Sequence, residues 1–349
     1  MKVLILTSGV PFIRGGAEIL AESLRDAVCA AGHQAEIATL PFQSCPPSRI
    51  PEQVLACRLL DVTESCGMRI DRVIGLKFPA YLVPHPNKVI WLLHQHRTAY
   101  EFWDHPTAGD LIHYPDGQVI REAIHQADRT LLPEAKTIYT LSRNVSGRLR
   151  RYSGIDAEPL YNPPANAPLF HKGPAGDYFF FPSRINSVKR QWLVIQALAL
   201  CREPVRVYFA GEADNPAQQA ECATAQRELS LGDRVTWLGV VSEEQKREWY
   251  ANSLGVLFPP LDEDYGYVTL EAMLSSKPVI TCADAGGPLE FLVDRHTGLI
   301  ADAIPQSLAG AMDDLWADRR RAATMGEAGR ERYLDLKISW ENVVDKLLC

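Results

Sequence analysis

Short apolar runs alternate with helix-like segments along almost the whole chain, and few folds accommodate this pattern. Each run is about four to seven residues long, which fits a strand that is buried on both faces. Strands that alternate with helices predict right-handed crossovers and parallel sheets. The predicted strands are 3–6, 35–40, 71–77, 88–93, 137–141, 178–181, 205–210, 234–238, 255–258 and 278–281, and the predicted helices include 17–30, 189–201, 217–229, 243–252 and 267–275.

The alternation is interrupted near the middle of the chain. Residues 161–168 (YNPPANAP) are rich in proline and asparagine, and a new strand is predicted from residue 178. A chain of 349 residues is long enough for two domains, each with its own core. We therefore expect an α/β fold of two doubly wound domains, residues 1–165 and 166–333, which face a cleft formed by the loops after the strands.

Composition excludes several other classes of protein. The chain is 46% hydrophobic and 23% charged, which is ordinary for a globular protein and unlike a disordered or collagen-like one. It has no uninterrupted apolar stretch of about 18 residues, and the run 3–6 is too short for a signal-peptide core. The net charge of −7 comes entirely from the residues after 170, so neither half has the basic excess of a nucleic-acid-binding protein.

The eight cysteines include no Cys-x-x-Cys pair. Cys29 and His33 are four residues apart, but no second pair completes a metal site. We interpret the cysteines as reduced thiols of a cytoplasmic protein rather than as a disulfide framework.

Two loops of the first half contain candidate ligand contacts. Gly15 and Gly16 lead into the first helix, where adjacent glycines let the backbone approach an anion, although a tight turn explains them equally well. Their spacing does not match the G-x-G-x-x-G fingerprint. His94 and His96 follow a buried strand, but a lone histidine is more often structural, and no third ligand is assignable for a metal.

Two cations follow the first strand of the second half. Arg184 ends the strand region, and Lys189 opens the next helix. Five residues apart around a turn, they can converge on a diphosphate and neutralise charge on a leaving group. The alternative is an ordinary solvated start of a helix.

The segment 257–280 contains a strand, an acidic loop, a helix and a strand in that order. Glu263 lies on the loop and Glu271 in the helix. Main-chain N–H groups at the helix start can bind a phosphate, and Glu271 can accept hydrogen bonds from ribose hydroxyls. The alternative is that both are surface carboxylates on an amphipathic helix. The helix start comprises Tyr265, Gly266, Tyr267 and Val268.

Glu263 and Glu271, followed by Lys277-Pro278-Val279-Ile280, resemble the E-x7-E signature of retaining glycosyltransferases of family 4 (glycosyl transferases group 1), which have the GT-B fold. Further similar elements occur from one end of the chain to the other. They are Gly15-Gly16-Ala17-Glu18, Thr140-Leu141-Ser142, Asn162-Pro163, Arg184 with Lys189, Val235 to Gly239, Gly286-Gly287, Thr297-Gly298 and Ser339-Trp340-Glu341.

The resemblance implies that a sugar moves from a nucleotide-diphosphate sugar, UDP- or GDP-linked, to an acceptor hydroxyl with retention and without a required metal or other cofactor. It implies that Arg184, Lys189 and the helix start bind the diphosphate and that Glu271 binds the ribose. Glu263 and His94 are expected to face the sugar, and Gly15-Gly16 to approach its phosphate. Residues 334–349 are expected to form a helix that packs back on the first domain.

The sequence departs from the family pattern at three places. Tyr265-Gly266 replaces Phe-Gly, Ser276 replaces a glycine, and Gly211-Glu212-Ala213 lacks a second glycine. Asp262-Glu263-Asp264 also has the Asp-x-Asp form of the metal site in the other large glycosyltransferase fold. Because it follows two complete α/β halves, we do not assign it a metal.

The acceptor is expected to be a sugar or a lipid-linked hydroxyl in the synthesis of cell-surface polysaccharide, lipopolysaccharide or glycolipid. The aromatic loop 100–117 either stacks on it or is simply packed. Arg143, Arg148, Arg150 and Arg151 either make a peripheral contact at the inner face of the membrane or form a solvated helix face, which we favour. Rival functions are a GT-B-fold sugar-nucleotide epimerase and a non-catalytic nucleotide-sugar-binding subunit. The sequence does not indicate an oligomeric state.

Overall fold

The computed structural model describes residues 1–12 and 15–349, which form two compact units. The first unit consists of Met1–Ala165 and Ser339–Cys349, and the second of Asn166–Ile338. The sequence-based division ended the second domain at residue 333, inside what the structure shows to be one helix, Arg319–Asp335. The observed boundary lies in the turn after that helix.

The first unit is built on a parallel sheet. Its elements are β1 (Lys2–Gly9), α1 (Gly16–Ala30), β2 (Gln34–Pro41), α2 (Ile50–Leu59), β3 (Glu64–Ser65), β4 (Met68–Arg69), β5 (Arg72–Gly75), β6 (Lys88–Leu92), α3 (Gly117–Leu131), β7 (Thr137–Thr140), α4 (Arg143–Ser153) and β8 (Glu158–Pro159). The sheet has the order β2-β1-β5-β6-β7-β8, and all its neighbours are parallel. β3 and β4 form a separate antiparallel pair.

The second unit repeats the architecture. Its elements are β9 (Phe179–Pro182), α5 (Gln191–Leu200), β10 (Val207–Ala210), α6 (Pro216–Glu228), β11 (Val235–Gly239), α7 (Glu243–Asn252), β12 (Gly255–Leu257), α8 (Tyr267–Leu274), β13 (Val279–Cys282), β14 (Gly298–Ala301), α9 (Pro305–Ala317) and α10 (Arg319–Asp335). The parallel order β11-β10-β9-β12-β13-β14 is that of a doubly wound sheet, and it reverses between β9 and β12.

All ten predicted strands are present, and the prediction of parallel α/β sheets is confirmed. The sequence analysis missed the short antiparallel pair β3 and β4. In the two parallel sheets it missed β8 and β14. Both lie at the edge of a sheet, where a strand has one neighbour and needs no long apolar run. The central strands were predictable because both of their faces are buried: Phe179, Phe180 and Phe181 of β9 have no exposed surface. Burying each such side chain contributes roughly 1.5–3 kcal/mol.

The last helix, α11 (Trp340–Leu348), belongs to the first unit although it is remote from it in sequence. Arg72 of β5 is buried and donates hydrogen bonds to the carbonyl oxygens of Leu347 (2.7 Å) and Cys349 (3.0 Å). The ring of Trp340 packs edge-on against Trp91 of β6, with centroids 6.2 Å apart. These contacts hold α11 against the sheet of the first unit.

A buried carboxylate holds the loop that follows β6. Asp128 on α3 has no exposed surface. It accepts hydrogen bonds from Tyr81 Oη (2.9 Å), Tyr100 Oη (2.7 Å) and Gln95 Nε2 (2.8 Å). Burial raises the pKa of Asp128 to about 6, although the three hydrogen bonds oppose the rise. Because Gln95 and Tyr100 share this acceptor, the loop next to His94 is attached to α3.

Replacing Asp128 with asparagine should remove a pH dependence of stability. The folded pKa of about 6 lies above the ordinary value of 3.8, so the folded state favours the protonated carboxyl, and the wild type loses stability as the pH rises from about 4 to about 6. The loss is on the order of 3 kcal/mol. In urea titrations followed by circular dichroism, the free energy of unfolding of Asp128→Asn relative to wild type should therefore rise across this window. If the difference in unfolding free energy between Asp128→Asn and wild type did not change with pH, the raised pKa of Asp128 would be contradicted.

Candidate active site

The candidate site of the second unit lies at the carboxyl ends of β9, β12 and β13. Doubly wound sheets bind ligands where the strand order reverses, which here is between β9 and β12. Main-chain hydrogen bonds join the loops that follow these strands. The N–H of Leu261 donates to the carbonyl oxygen of Val188 (2.7 Å), and the N–H of Glu263 donates to that of Ala285 (2.8 Å). The three loops therefore form one hydrogen-bonded layer.

Lys189 and Glu263 are in direct contact within this layer. Lys189 Nζ donates a hydrogen bond to Glu263 Oε2. The side chains are 16% and 21% exposed, so the ion pair is partly shielded from water. Lys189 Nζ also lies 5.4 Å from the ring centroid of Phe258. The structure thus brings together two residues that the sequence indicated separately.

A second ion pair holds the turn that contains Lys189. Lys189 and Arg190 precede α5, which begins at Gln191, whereas the sequence placed them at the start of the helix. Arg190 has a φ of +61°, a left-handed conformation that costs about 1 kcal/mol for a residue with a side chain. Its guanidinium donates to both carboxylate oxygens of Asp284, at 2.8 and 2.7 Å. The turn keeps this strained conformation because the ion pair stabilises it.

Arg184 follows β9 and contacts an acid in the loop after β10. Its Nη1 donates to Asp214 Oδ1 (3.0 Å), and Asn186 Nδ2 donates to the other oxygen (2.9 Å). The Arg184 side chain is 52% exposed. Such an exposed ion pair is weak, so an anionic ligand can compete for Arg184.

Gly211 lets the loop after β10 approach the loop after β9. Its φ is +136°, and a Cβ atom at this position would lie 2.2 Å from the carbonyl oxygen of Ser183. The second glycine of the family pattern is replaced by Glu212-Ala213, and there the carbonyl oxygen of Glu212 accepts a hydrogen bond from the N–H of Ile185 (2.9 Å). Gly211 is therefore the position where the close approach requires glycine.

Gly266 precedes α8 and has a φ of +95°. The first amides of an α-helix have no acceptor within the helix, so the amino end of α8 offers N–H donors to an anion. Tyr265 is 2% exposed, and its ring packs edge-on against Phe291 with centroids 5.3 Å apart. A contribution of Tyr265 to ligand binding would therefore come from its main chain.

Glu271 is buried in α8, with a side chain that is 10% exposed. Tyr250 Oη donates to Oε2 (2.7 Å), and Lys246 Nζ donates to Oε1 (3.1 Å). The alternative in which Glu263 and Glu271 are both surface carboxylates is therefore wrong for Glu271. The sequence analysis assigned no role to Lys246 or Tyr250, and their i, i+4 spacing on α7 was the available signal.

In the first unit, Gly15 caps α1 and Gly16 is its first residue. The N–H of Gly15 donates to Glu18 Oε2 (2.8 Å), and Lys77 Nζ lies 3.9 Å from Glu18 Oε1. A carboxylate of the protein thus already occupies an anion position at this helix end. A phosphate that used the Gly15 amide would have to displace it. Residues 13 and 14 of the same glycine loop lie outside the described residues.

His94 and His96 differ in their surroundings. The His96 ring packs against Phe42 and Phe78, with centroid distances of 5.8 and 5.3 Å. Burial lowers the pKa of His96 to about 4, so its partly buried ring is neutral at physiological pH. His94 Nδ1 lies 2.6 Å from the carbonyl oxygen of Gln95, and since a carbonyl only accepts, Nδ1 carries the proton. His94 is the better candidate of the two.

The arginines of α4 have different environments. Arg148 Nη1 donates to Glu101 Oε1, which also accepts from Arg97 Nε (2.5 Å). The side chains of Arg97, Glu101 and Arg148 are 15%, 10% and 11% exposed. Arg150 is exposed and lies 3.2 Å from Asp156. Arg148 therefore joins α4 to the loop after β6 and belongs neither to a solvated face nor to a lipid contact.

No group of three or more His, Cys, Asp or Glu side chains among residues 1–12 and 15–349 is arranged to hold a metal ion. In the same part of the chain, no helix is long and apolar enough to cross a membrane. All eight cysteines are free thiols.

A cavity of about 540 Å³ in the first unit, lined by Arg58, His85 and Glu134, contains none of the predicted site residues. Cavity volume alone therefore does not locate the site.

The two parallel-sheet α/β domains have the GT-B fold, and solved structures share it. Sucrose-phosphate synthase from Thermosynechococcus elongatus matches 99% of this chain and 97% of its own, with a TM-score of 0.78 and 20% identity. The Anabaena protein Alr3699/HepE, solved with UDP and glucose, matches 98% of this chain and 97% of its own, with a TM-score of 0.70 and 18% identity. At such identities the likeness establishes the fold.

Residues 171–332 match the family model described as glycosyl transferases group 1. The family resemblance found in the sequence is thereby confirmed. Mouse alpha-1,3/1,6-mannosyltransferase ALG2 is 32% identical over 189 residues, which cover 50% of this chain and 45% of the relative. Alpha-maltose-1-phosphate synthase of Mycolicibacterium smegmatis is 32% identical over 151 residues, 41% of this chain and 38% of the relative. The chain thus spans less than half the length of these curated relatives.

The requirement for glycine at position 211 can be tested against a matched position. Gly232 also has a positive φ (+49°), but no atom lies within 4 Å of a Cβ atom placed there. Gly232→Ala should cost about 1 kcal/mol of unfolding free energy, from backbone strain alone. Gly211→Ala should cost roughly 2–3 kcal/mol, because its Cβ also displaces the main chain at Ser183. Equal costs in urea titrations would show that the close approach is unimportant.

Proposed function

We propose that this protein is a retaining glycosyltransferase that moves a sugar from a nucleotide-diphosphate sugar to an acceptor hydroxyl. The contact between Lys189 and Glu263 at the carboxyl ends of β9 and β12 is the observation that carries this proposal. It lies inside the segment that matches the family. Arg184 and the amino end of α8 follow the same two strands, so cations and helix amides suited to a diphosphate lie at one edge of the sheet.

In the proposed reaction, the bond between the anomeric carbon and the diphosphate oxygen breaks. A bond from that carbon to the acceptor oxygen forms on the same face, and the acceptor proton passes to the departing diphosphate. Negative charge grows on the leaving oxygen, where Arg184, Lys189 and the amides of Tyr267 and Val268 are proposed to stabilise it. Because this charge develops as the bond breaks, these groups should affect turnover more than donor binding.

The remaining site residues have proposed roles in binding. Glu271 is proposed to accept hydrogen bonds from the ribose, and Glu263 and His94 to contact the transferred sugar. Gly15-Gly16 is proposed to contact the sugar phosphate. Lys189 carries three N–H donors, so it can bind the diphosphate and keep its contact with Glu263.

The donor is proposed to be a UDP- or GDP-sugar. The crystallised HepE complex with UDP and glucose and the name of ALG2 as a mannosyltransferase support the class of donor. The acceptor is proposed to be a sugar or lipid-linked hydroxyl in the synthesis of cell-surface polysaccharide, lipopolysaccharide or glycolipid. A peripheral membrane contact at the cytoplasmic face and a metal-independent reaction are further parts of the proposal.

The donor class can be tested by thermal unfolding in the presence of UDP, GDP, ADP and their sugar conjugates. A ligand that binds the folded state raises the unfolding temperature by mass action. We expect one nucleoside diphosphate and its sugar conjugates to raise the temperature, and the unrelated bases to have smaller effects. If none of these compounds changed the unfolding temperature, the proposed function would be wrong.

Two variants should separate turnover from binding. Lys189→Ala should lower kcat by about 100-fold, because one charged donor to the leaving group is lost. Glu271→Gln, which keeps the side-chain shape, should weaken nucleotide binding by about tenfold. Lys172→Ala is the matched control, since Lys172 is an exposed lysine of the same unit that pairs with Glu327. Steady-state kinetics and calorimetric titration give the two quantities.

The same assay tests the stereochemistry and the metal independence of the reaction. Proton NMR of the first product should show the anomeric configuration of the donor, and activity should persist in excess EDTA. Inversion of the anomeric centre would contradict the retaining mechanism. Loss of activity in EDTA with recovery on adding a divalent cation would contradict the metal-independent one.

A further inference from the structure

We propose that Lys246 and Tyr250 on α7 are positioning residues that orient Glu271 toward the 2′ and 3′ hydroxyls of the donor ribose. This inference rests on the proposed function. It adds that the affinity for the nucleotide depends on the ribose hydroxyls through two side chains that need not touch the nucleotide.

Tyr250 holds one oxygen of Glu271 from inside the core. Its ring has no exposed surface and packs edge-on against Phe180 (5.1 Å between centroids) and Phe170 (5.8 Å). The position of the hydroxyl, 2.7 Å from Glu271 Oε2, is therefore set by core packing. Burial and the nearby Glu271 raise the pKa of Tyr250 well above its ordinary value, so the hydroxyl stays protonated and donates.

Lys246 holds the other oxygen. Its Nζ lies 3.1 Å from Glu271 Oε1 and 3.0 Å from Glu243 Oε2, and its side chain is 20% exposed. Burial lowers the pKa of Lys246, but the two carboxylates more than compensate, so the pKa is raised and the lysine stays charged. The cluster of Glu243, Lys246 and Glu271 contains two carboxylates and one ammonium. Its net negative charge suits hydroxyl donors better than an anion.

The start of α7 fixes where these two side chains lie. The Oγ of Ser242 accepts from the N–H of Gln245 (3.1 Å), and the Oε1 of Gln245 accepts from the N–H of Ser242 (2.9 Å). This reciprocal cap sets the first turn of the helix. Lys246 and Tyr250 follow one turn apart on the same face, so both reach the same carboxylate.

The geometry leaves Glu271 able to bind a diol. Each carboxylate oxygen has two acceptor positions. Tyr250 uses one of them on Oε2, and Lys246 uses one on Oε1. One acceptor position remains on each oxygen, and two neighbouring ribose hydroxyls match that pair. Without the two α7 side chains, the carboxylate would have other rotamers available and would bind the diol less well.

The test compares ribose and dideoxyribose nucleotides by calorimetric titration of the full chain. The probes are UDP and 2′,3′-dideoxy-UDP, and the corresponding guanosine pair. We expect Tyr250→Phe and Lys246→Met to weaken binding of the ribonucleotide by about tenfold. Their effect on the dideoxynucleotide should be less than about twofold, because the contact that they support is absent there.

Tyr208→Phe is the matched control for Tyr250→Phe. The Tyr208 ring stacks on Tyr178 in the same unit, with 4.5 Å between the ring centroids. Removing the Tyr208 hydroxyl should leave the affinities for the ribonucleotide and the dideoxynucleotide unchanged. Circular dichroism of each variant reports whether the second unit is still folded. Lys246→Met provides an independent measurement if Tyr250→Phe unfolds.

The possible results separate this inference from the proposed function. A wild type that binds none of the four nucleotides would overturn both. A wild type that binds the ribonucleotide, with folded variants that bind it equally well, would overturn the inference and leave the function intact. Equal losses for the ribo and dideoxy forms would also overturn it, since they would indicate a general structural role for α7.

Discussion

All strands of a parallel sheet that run in one direction end at the same edge, and the candidate site depends on this geometry. In the second unit, β9, β12 and β13 deliver their loops to that edge, where main-chain hydrogen bonds such as the one from Leu261 to Val188 join them. Lys189 and Glu263 are 74 residues apart in sequence and meet there. The buried phenylalanines of β9 are part of the same arrangement, because a central strand must be apolar on both faces.

The cations at this edge are paired with carboxylates of the protein, and their exposure distinguishes their roles. The Arg184 side chain is 52% exposed and that of Arg190 is 12% exposed. An exposed ion pair contributes little to stability, so Arg184 can exchange Asp214 for a diphosphate at small cost. Arg190, held by both oxygens of Asp284, instead maintains the turn that presents Lys189. We therefore propose a binding role for Arg184, whereas Arg190 stabilises the turn that contains it.

Sequence patterns predicted the strands and the E-x7-E carboxylates, but they missed the contacts that give these carboxylates their environment. Ser276 is an instructive position. It was recognised as a departure from a usual glycine, and the structure shows its φ to be +54°, a left-handed value that favours glycine. In contrast, nothing in the local pattern distinguished His94 from His96, since the packing of His96 against Phe42 and Phe78 involves distant segments. The contacts of Glu271 with Lys246 and Tyr250 were also missed, because the i, i+4 spacing on α7 does not by itself show which distant carboxylate the pair contacts.

Apolar periodicity is a local property, and it was sufficient to predict two parallel α/β domains. The motifs carried the resemblance to glycosyl transferases group 1, whose family model matches residues 171–332. Motif spacing also identified the residue types that suit a diphosphate and a ribose. Which carboxylate binds which cation, which glutamate is buried and which glycine is sterically required all depended on the folded chain. The physical reason is that ion pairs, burial and close main-chain approaches depend on distances between loops that dozens of residues separate, as between Gly211 and Ser183.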